Sequence, residues 1–151
     1  KGRIIVRMSF NPDEIIKKIE IGTSRLNGRI EAINKLAQAD YKVGILIAPV
    51  IFVDNWQELY LDLIRKLSSK LSEKTKKDLF FEIIFMTYSY VHTKINEEAF
   101  PGSDNLYNKN MMTGRGRGKY MYKNEYRKEG ETFFIENLKK YFPNCQIKYI
   151  V

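Results

Sequence analysis

At 151 residues the chain has the size of one domain and is long enough to bury a core without metals or disulfides. A composition of 44% hydrophobic, 29% charged and 13% aromatic residues excludes a disordered chain, and the lone cysteine, Cys145, excludes an internal disulfide or a multi-cysteine metal site built from this chain alone. No apolar run approaches the ~20 residues of a membrane helix, and Lys1-Gly2-Arg3 opens straight into strand-like sequence, so a soluble, untargeted protein of a reducing, cytoplasmic compartment is expected. The net charge of +8 is concentrated in one place. Between Lys109 and Lys128 stand Lys109, Arg115, Arg117, Lys119, Lys123, Arg127 and Lys128 against the single acid Glu125, which accounts for +6.

Ile4 to Phe10 is short, apolar and β-branched at its start, and Asn11-Pro12 ends it, predicting a strand. Pro12-Asp13-Glu14 opens a short helix carrying Ile15, Ile16 and Ile19. Thr23 or Ser24 is placed to cap a second helix, in which Leu26, Ile30, Ile33 and Ala37 share one face. The continuous apolar run Val43 to Ala48, stopped by Pro49, predicts a central strand covered on both sides. Asp54-Asn55-Trp56-Gln57 resembles a capping box before the long stripe Trp56, Leu59, Leu63, Ile64, Leu67 and Leu71. Phe80 to Met86 predicts a third strand running into Thr87-Tyr88-Ser89-Tyr90. Strands starting near residues 4, 43 and 80 recur at the spacing of βα units, which predicts parallel β/α architecture. From Val91 to Lys123 periodicity is lost and Pro and Gly punctuate, predicting a long loop. A helix near Glu125 to Phe142 and an edge strand from Gln146 to Val151 complete the chain.

In such architectures chemistry gathers at the C-terminal strand ends, here Ser9-Phe10-Asn11, Ala48-Pro49-Val50 and Met86 to Tyr90. Their small and hydrogen-bonding groups suit a nucleoside-like ligand, although the residues alone favour Ser9 and Asn11 as a strand end and helix cap. In Met112 to Tyr122, alternating glycines let the backbone approach a ligand closely. Arg115, Arg117 and Lys119 can reach phosphates there, and Tyr120, Tyr122 and Tyr126 offer stacking surfaces. The competing reading of that segment is a solvated loop with incidental charge. His92, the only histidine, excludes a site with several histidine ligands, and no catalytic triad is constructible. Cys145, Tyr107, Tyr122 and Tyr141 are read as packing residues.

Several long runs, in order, resemble the spore photoproduct lyase family. They are Ser24-Arg25-Leu26, Arg29 to Leu36, Ile45 to Ile51, Glu82 to His92, Met112 to Tyr120 and Tyr141-Phe142-Pro143. The resemblance implies an α/β fold, the later half of a partial (β/α) TIM-type radical-SAM barrel over residues 1–90, with a C-terminal extension of loop, helix and strand over 91–151 in one single domain. It implies two cofactors, S-adenosyl-L-methionine and a 4Fe-4S cluster. The family's CxxxCxxC cluster motif and its hydrogen-returning cysteine have no counterpart among these residues, so the chain alone is expected to be inactive and to need a missing N-terminal half. By motif position, Ser9 falls near the ribose or methionine part of the cofactor and Ala48 beside its adenine. Arg115, Arg117, Lys119 and Tyr120 match a basic hairpin-like element near the lesion, and Tyr88 and Tyr90 line the pocket.

The implied reaction forms a 5′-deoxyadenosyl radical that abstracts a hydrogen from a methylene-bridged thymine dimer in DNA and returns two thymines, in the cytoplasm of a germinating spore. The alternative is a non-catalytic nucleic-acid-binding module using the Gly/Arg loop. Exposed sheet edges further predict self-association.

Overall fold

The computed structural model describes residues 3–151. Thirteen elements follow one another: β1 (Ile5–Phe10), α1 (Asp13–Ile19), α2 (Leu26–Gln38), β2 (Lys42–Val50), α3 (Trp56–Lys70), α4 (Glu73–Lys77), β3 (Phe80–Phe85), β4 (Thr87–Ser89), α5 (Tyr90–Ala99), β5 (Met112–Gly116), β6 (Lys119–Tyr122), α6 (Asn124–Tyr141) and β7 (Gln146–Ile150). They form a mixed α/β fold around a parallel four-stranded sheet in the order β1-β2-β3-β7. A smaller antiparallel sheet, β4-β6-β5, stands beyond the end of β3.

The two faces of the parallel sheet differ, because side chains alternate along a strand. One carries Phe10, Val43, Ile45, Ile47, Phe81 and Ile83, all at 3% exposure or less. Helix residues Ile33, Tyr60, Leu63, Ile64 and Phe134 close over it, with Tyr60 edge-on to Phe134 at 5.4 Å and Phe81 edge-on to Phe142 at 4.9 Å. The other face is covered only in part. The strand register puts Arg7, Gly44 and Phe80 in one row and Leu46 beside Glu82 in the next. The absence of a side chain at Gly44 lets the Phe80 ring lie over it, where a Cβ would come within 2.2 Å of the ring. Lys148 stacks its ammonium 3.4 Å from the same ring, and Arg7 pairs with the buried Glu82 at 3.2 Å. The two-sided cover expected of β2 is therefore present at Gly44 and lost at Leu46 and Ala48, which are half-buried.

Three local expectations are corrected. Neither Thr23 nor Ser24 caps α2, whose N-cap is Arg25; the Leu26 N–H is instead taken from a distance by Asp13 Oδ1 at 3.2 Å, because α1 packs beside this end. The Asp54 to Gln57 segment makes no capping box, as Asn55 is the N-cap and accepts nothing with its side chain. The stretch from Val91 to Lys123, expected as a loop, holds α5 and the hairpin β5–β6, so the C-terminal extension is not loop, helix and strand alone. Glycine at alternate strand positions hides a period of two, and α5 buries no residue that would mark an apolar face. Helix α4 was also unforeseen. It is too short for a period to register, and it is held by Ser72 at its N-cap and by Thr75 bonding Asn34 at 2.7 Å.

Among the described residues no helix is long and apolar enough to cross a membrane. Helix α6 approaches the sheet closely at Gly130, where a Cβ would sit 2.7 Å from Phe85 and 2.8 Å from Phe52. Replacing glycine by alanine inside a helix ordinarily stabilises by about 0.5–1 kcal/mol. Gly130→Ala is expected to do the reverse, destabilising by about 1–3 kcal/mol through overpacking, as read by denaturant titration. A second change, Phe52→Leu, should return part of the loss.

Candidate functional site

The C-terminal ends of β1, β2 and β3 gather at one end of the sheet, and a buried polar network ties them together. Arg29, on α2, is 6% exposed and sends its guanidinium toward the tip of β1. It donates to the Ser9 carbonyl at 3.0 Å, to Ser9 Oγ at 3.4 Å, to the Ser24 carbonyl at 2.7 Å, to Thr23 Oγ1 at 2.8 Å and to the Glu20 carboxylate. The other oxygen of Glu20 accepts from Asn11 Nδ2 at 2.6 Å. Asn11 Oδ1 in turn accepts from the Tyr60 hydroxyl at 3.0 Å, and that hydroxyl accepts from the Ile51 N–H at 2.9 Å. One chain of hydrogen bonds thus joins α2, the end of α1, the tip of β1, α3 and the residue after β2. No buried side-chain nitrogen or oxygen among the described residues lacks a partner. The reading of Asn11 as a helix cap is replaced by this: the N-cap of α1 is Pro12, and Asn11 is fully buried between Glu20 and Tyr60.

Tyr122 makes a second anchor of the same kind, its hydroxyl accepting from the Phe52 N–H at 3.1 Å while its ring packs on Phe52. Burial pushes both phenols up in pKa, opposed in each case by the bond from the backbone N–H; Tyr122 reaches about 12, and the more deeply buried Tyr60 is raised further.

A cavity of about 380 Å³ opens at this end of the sheet. Glu20 and Ile21 border it beyond α1, Pro49 comes from β2, Met86 to Ser89 form a wall, and His92 and Asn96 of α5 face it with the segment 103–106. Tyr88 sits in that wall, 8% exposed, with its ring 5.1 Å from Tyr107 and 5.9 Å from Tyr120, which are themselves 4.9 Å apart. Pairing of Tyr88 with Tyr120 across β4 and β6 fixes two sides of this aromatic trio. The hairpin then carries its charges outward, with Arg115, Arg117 and Lys119 all exposed. Its turn runs through Gly116, Arg117 and Gly118 at φ of 89°, 52° and 68°, so two glycines relieve most of a left-handed turn and Arg117 stands at the tip. The Gly118 carbonyl accepts from the Tyr90 N–H at 3.0 Å, holding the turn against the start of α5.

Of the residues singled out in the sequence, Tyr88 lines the cavity and Tyr120 packs against it. Tyr90 is largely exposed at the start of α5 and is not among the cavity residues. Ser9 lies on the less covered face of β1 in register with Leu46, and Ala48 adjoins Pro49; neither lines the cavity itself. Glu20 and Arg29 were not foreseen, since partners nine residues apart leave no periodic trace. Cys145 is half-buried with its thiol toward the Lys76 carbonyl, and burial pushes its pKa up. Among the described residues no cluster of His, Cys, Asp and Glu could hold a metal.

A profile described as spore photoproduct lyase matches residues 1–151. The spore photoproduct lyase of Clostridium acetobutylicum is 34% identical over 150 residues, covering 97% of this chain and 44% of that protein. That of Bacillus subtilis is 34% identical over 156 residues, covering 98% and 44%. The chain therefore spans less than half the length of the curated relatives it matches. Among solved structures, a spore photoproduct lyase double mutant with bound AdoMet and dinucleoside spore photoproduct superposes with a TM-score of 0.91 at 28% identity, over 99% of this chain and 45% of that one. A spore photoproduct lyase complexed with dinucleoside spore photoproduct gives the same figures.

Two outcomes follow from the buried groups. Arg29→Met strands the Glu20 carboxylate and is expected to cost about 3–5 kcal/mol in denaturant titration, while the double change with Glu20→Gln should cost less than the single one. For the phenols, a folded pKa above the unfolded value near 10 means stability that is whole below about pH 10 and lost as pH climbs toward about 12. Unfolding midpoints measured at about pH 9 and 11 should therefore fall, and fall less in Tyr122→Phe.

Proposed function

Since the chain belongs to the spore photoproduct lyase family, we propose that it forms the substrate-binding part of such a lyase, acting on the methylene-bridged thymine dimer in DNA. The observation that carries this reading is the strand-tip cavity flanked by a basic hairpin, the two joined by the Tyr88–Tyr120 pair. The aromatic wall offers flat surface to an unstacked thymine, and the exposed charges of Arg115, Arg117 and Lys119 meet backbone phosphates on either side of the lesion. A lesion bridged by one carbon is already poorly stacked, which lowers the cost of moving it out of the duplex into the cavity. Tyr90, exposed beside the hairpin turn, extends the same binding surface.

For S-adenosyl-L-methionine the donors fit in part. Ser9 keeps a hydroxyl hydrogen to donate, because its Oγ serves only as a long acceptor from Arg29, and the half-buried Ala48 with Pro49 offers a small apolar surface suited to an adenine. When bound, that cofactor supplies the hydrogen-abstracting chemistry of the family. The chain's own contribution is to orient it: Arg29 holds the Ser9 carbonyl, and Tyr60 with Asn11 holds the strand tips on which both residues stand. A 4Fe-4S cluster does not fit these residues, as its iron is held by several thiolates and Cys145 is a single, half-buried thiol hydrogen-bonded to a carbonyl. We infer that the parallel sheet is part of a (β/α) barrel, with the free edges of β1 and β7 pairing with the further strands of the longer relatives. In this chain by itself those edges would pair with another copy. Similarity to lyases along the whole chain does not favour the alternative of a non-catalytic nucleic-acid module.

Binding of a lesion-bearing oligonucleotide and of the dinucleoside photoproduct tests the reading. Arg117→Ala with Lys119→Ala should weaken the oligonucleotide by on the order of tenfold and lower its salt slope by about 0.9 for each phosphate no longer neutralised. The same pair should leave the dinucleoside, which lacks flanking phosphates, nearly unaffected, whereas Tyr88→Ala should weaken both. Equal affinity for undamaged and lesion-bearing DNA would contradict the assignment.

A further inference from the structure

A second cavity, of about 360 Å³, opens beside the hairpin and shares Met86 and Thr87 with the strand-tip cavity. Its floor is apolar, built from Ile84, Phe85, Met121 and the ring of Tyr122. The hydroxyl of Tyr122 is already engaged by the Phe52 N–H, so its ring presents only a flat surface. Val151 supplies a further side; in the 151-residue chain its backbone carboxylate accepts from the Phe85 N–H at 2.7 Å and forms no ion pair with either arginine of the cavity. Two arginines line the cavity from different elements, the exposed Arg115 from β5 and the half-buried Arg127 from the first turn of α6. No aspartate or glutamate side chain lines it, and neither arginine makes an ion pair or side-chain hydrogen bond among the described residues.

Two like charges brought to one apolar recess repel each other, and their arrangement becomes favourable when an anion lies between them. Guanidinium groups are matched in geometry to phosphate, which they bind in bidentate fashion. The recess has the ~300–1,000 Å³ size of a small-molecule site, and its floor offers dispersion attraction without a hydrogen-bonding pattern to read a base. Apolar floor and paired cations together describe a nucleotide. We propose that this cavity holds the nucleotide adjoining the lesion in the strand-tip cavity, its base on the floor and its phosphate between Arg115 and Arg127, with the DNA strand passing over the shared Met86–Thr87 wall. The proposal rests on the DNA-binding reading for the strand's continuity, while the cavity's taste for a nucleotide stands by itself.

The test is methyl NMR of the 151-residue chain, following Met121, with three probes: thymidine, thymidine 5′-monophosphate and an oligothymidylate of about ten nucleotides. The monophosphate and the oligomer are expected to shift Met121, and thymidine is expected to do so far more weakly. Arg127→Ala should weaken both phosphate-bearing probes by on the order of tenfold and lower the oligomer's salt slope by about 0.7, the share of one single-strand phosphate. Arg127→Lys, which keeps the charge without the fork, should lose part of that. Arg117→Ala with Lys119→Ala should weaken only the oligomer. If the oligomer responds to the hairpin pair and is indifferent to Arg127→Ala, the second cavity is empty of nucleotide and the DNA reading stands. If the monophosphate depends on Arg127 while the oligomer ignores the hairpin pair, the cavity is a nucleotide site and the DNA reading falls. A Met121 signal unmoved by either phosphate-bearing probe overturns the proposal.

Discussion

The end of the sheet where ligands would bind is organised by one buried cation. Arg29 leaves an apolar helix face, reaches the tip of β1 and there meets a backbone carbonyl, a serine hydroxyl and the carboxylate of Glu20. A guanidinium so deeply placed is tolerable only when its donors are matched and its charge is neutralised, and both conditions hold. The matching has a structural consequence. Because Glu20 is also bonded to Asn11, and Asn11 to Tyr60, the position of the chain after α1 is tied to that of the chain after β2. The cavity inherits its shape from this tie, since Glu20 and Pro49 stand on its border.

The second sheet is attached to the first by aromatic rings. Phe52 packs against Trp56, Phe85 and Tyr122 at 4.6, 5.5 and 4.5 Å, joining the segment after β2, the end of β3 and the last residue of β6. On the cavity side Tyr88, Tyr107 and Tyr120 pack together and hold the segment before β5 against β4 and β6. The hairpin can therefore carry three exposed cations at its free end while its base is fixed to the core. Rigid support under a charged, glycine-bearing turn combines close backbone approach with defined direction, which a free Gly/Arg segment lacks.

The uncovered side of the parallel sheet follows from a different economy of space. Gly44 admits the Phe80 ring, the ring accepts the Lys148 ammonium, and Glu82 beside it is neutralised by Arg7. Charged groups thus share the face that helices leave open with Phe80, Leu46 and Ala48, and the fully buried apolar face is kept for the helices. Because Leu46 and Ala48 on the open face are themselves apolar, β2 reads as an unbroken apolar run although only its other face is fully buried.

Strands β1, β2, β3 and β7 and helices α1, α2, α3 and α6 were legible in the residues, because each either buries a face with a regular period or stands as a compact apolar run between clear stops. Parallel pairing was legible as well, from the βα spacing, and the family from runs such as Met112 to Tyr120. The hairpin, α5 and α4 were not, because glycine alternation, a helix that buries no residue and a helix of five residues carry no hydrophobic period. Nor were the partners of Asn11, Glu20 and Arg29, or the shared cavity that Arg115 and Arg127 line. Local sequence determines which segments form strands and helices and where their apolar sides lie. Which polar side chains meet at separations of nine, forty-nine or more residues is decided by the crossing of strands and helices in space, since only packing can bring an isolated arginine and carboxylate to the same buried point.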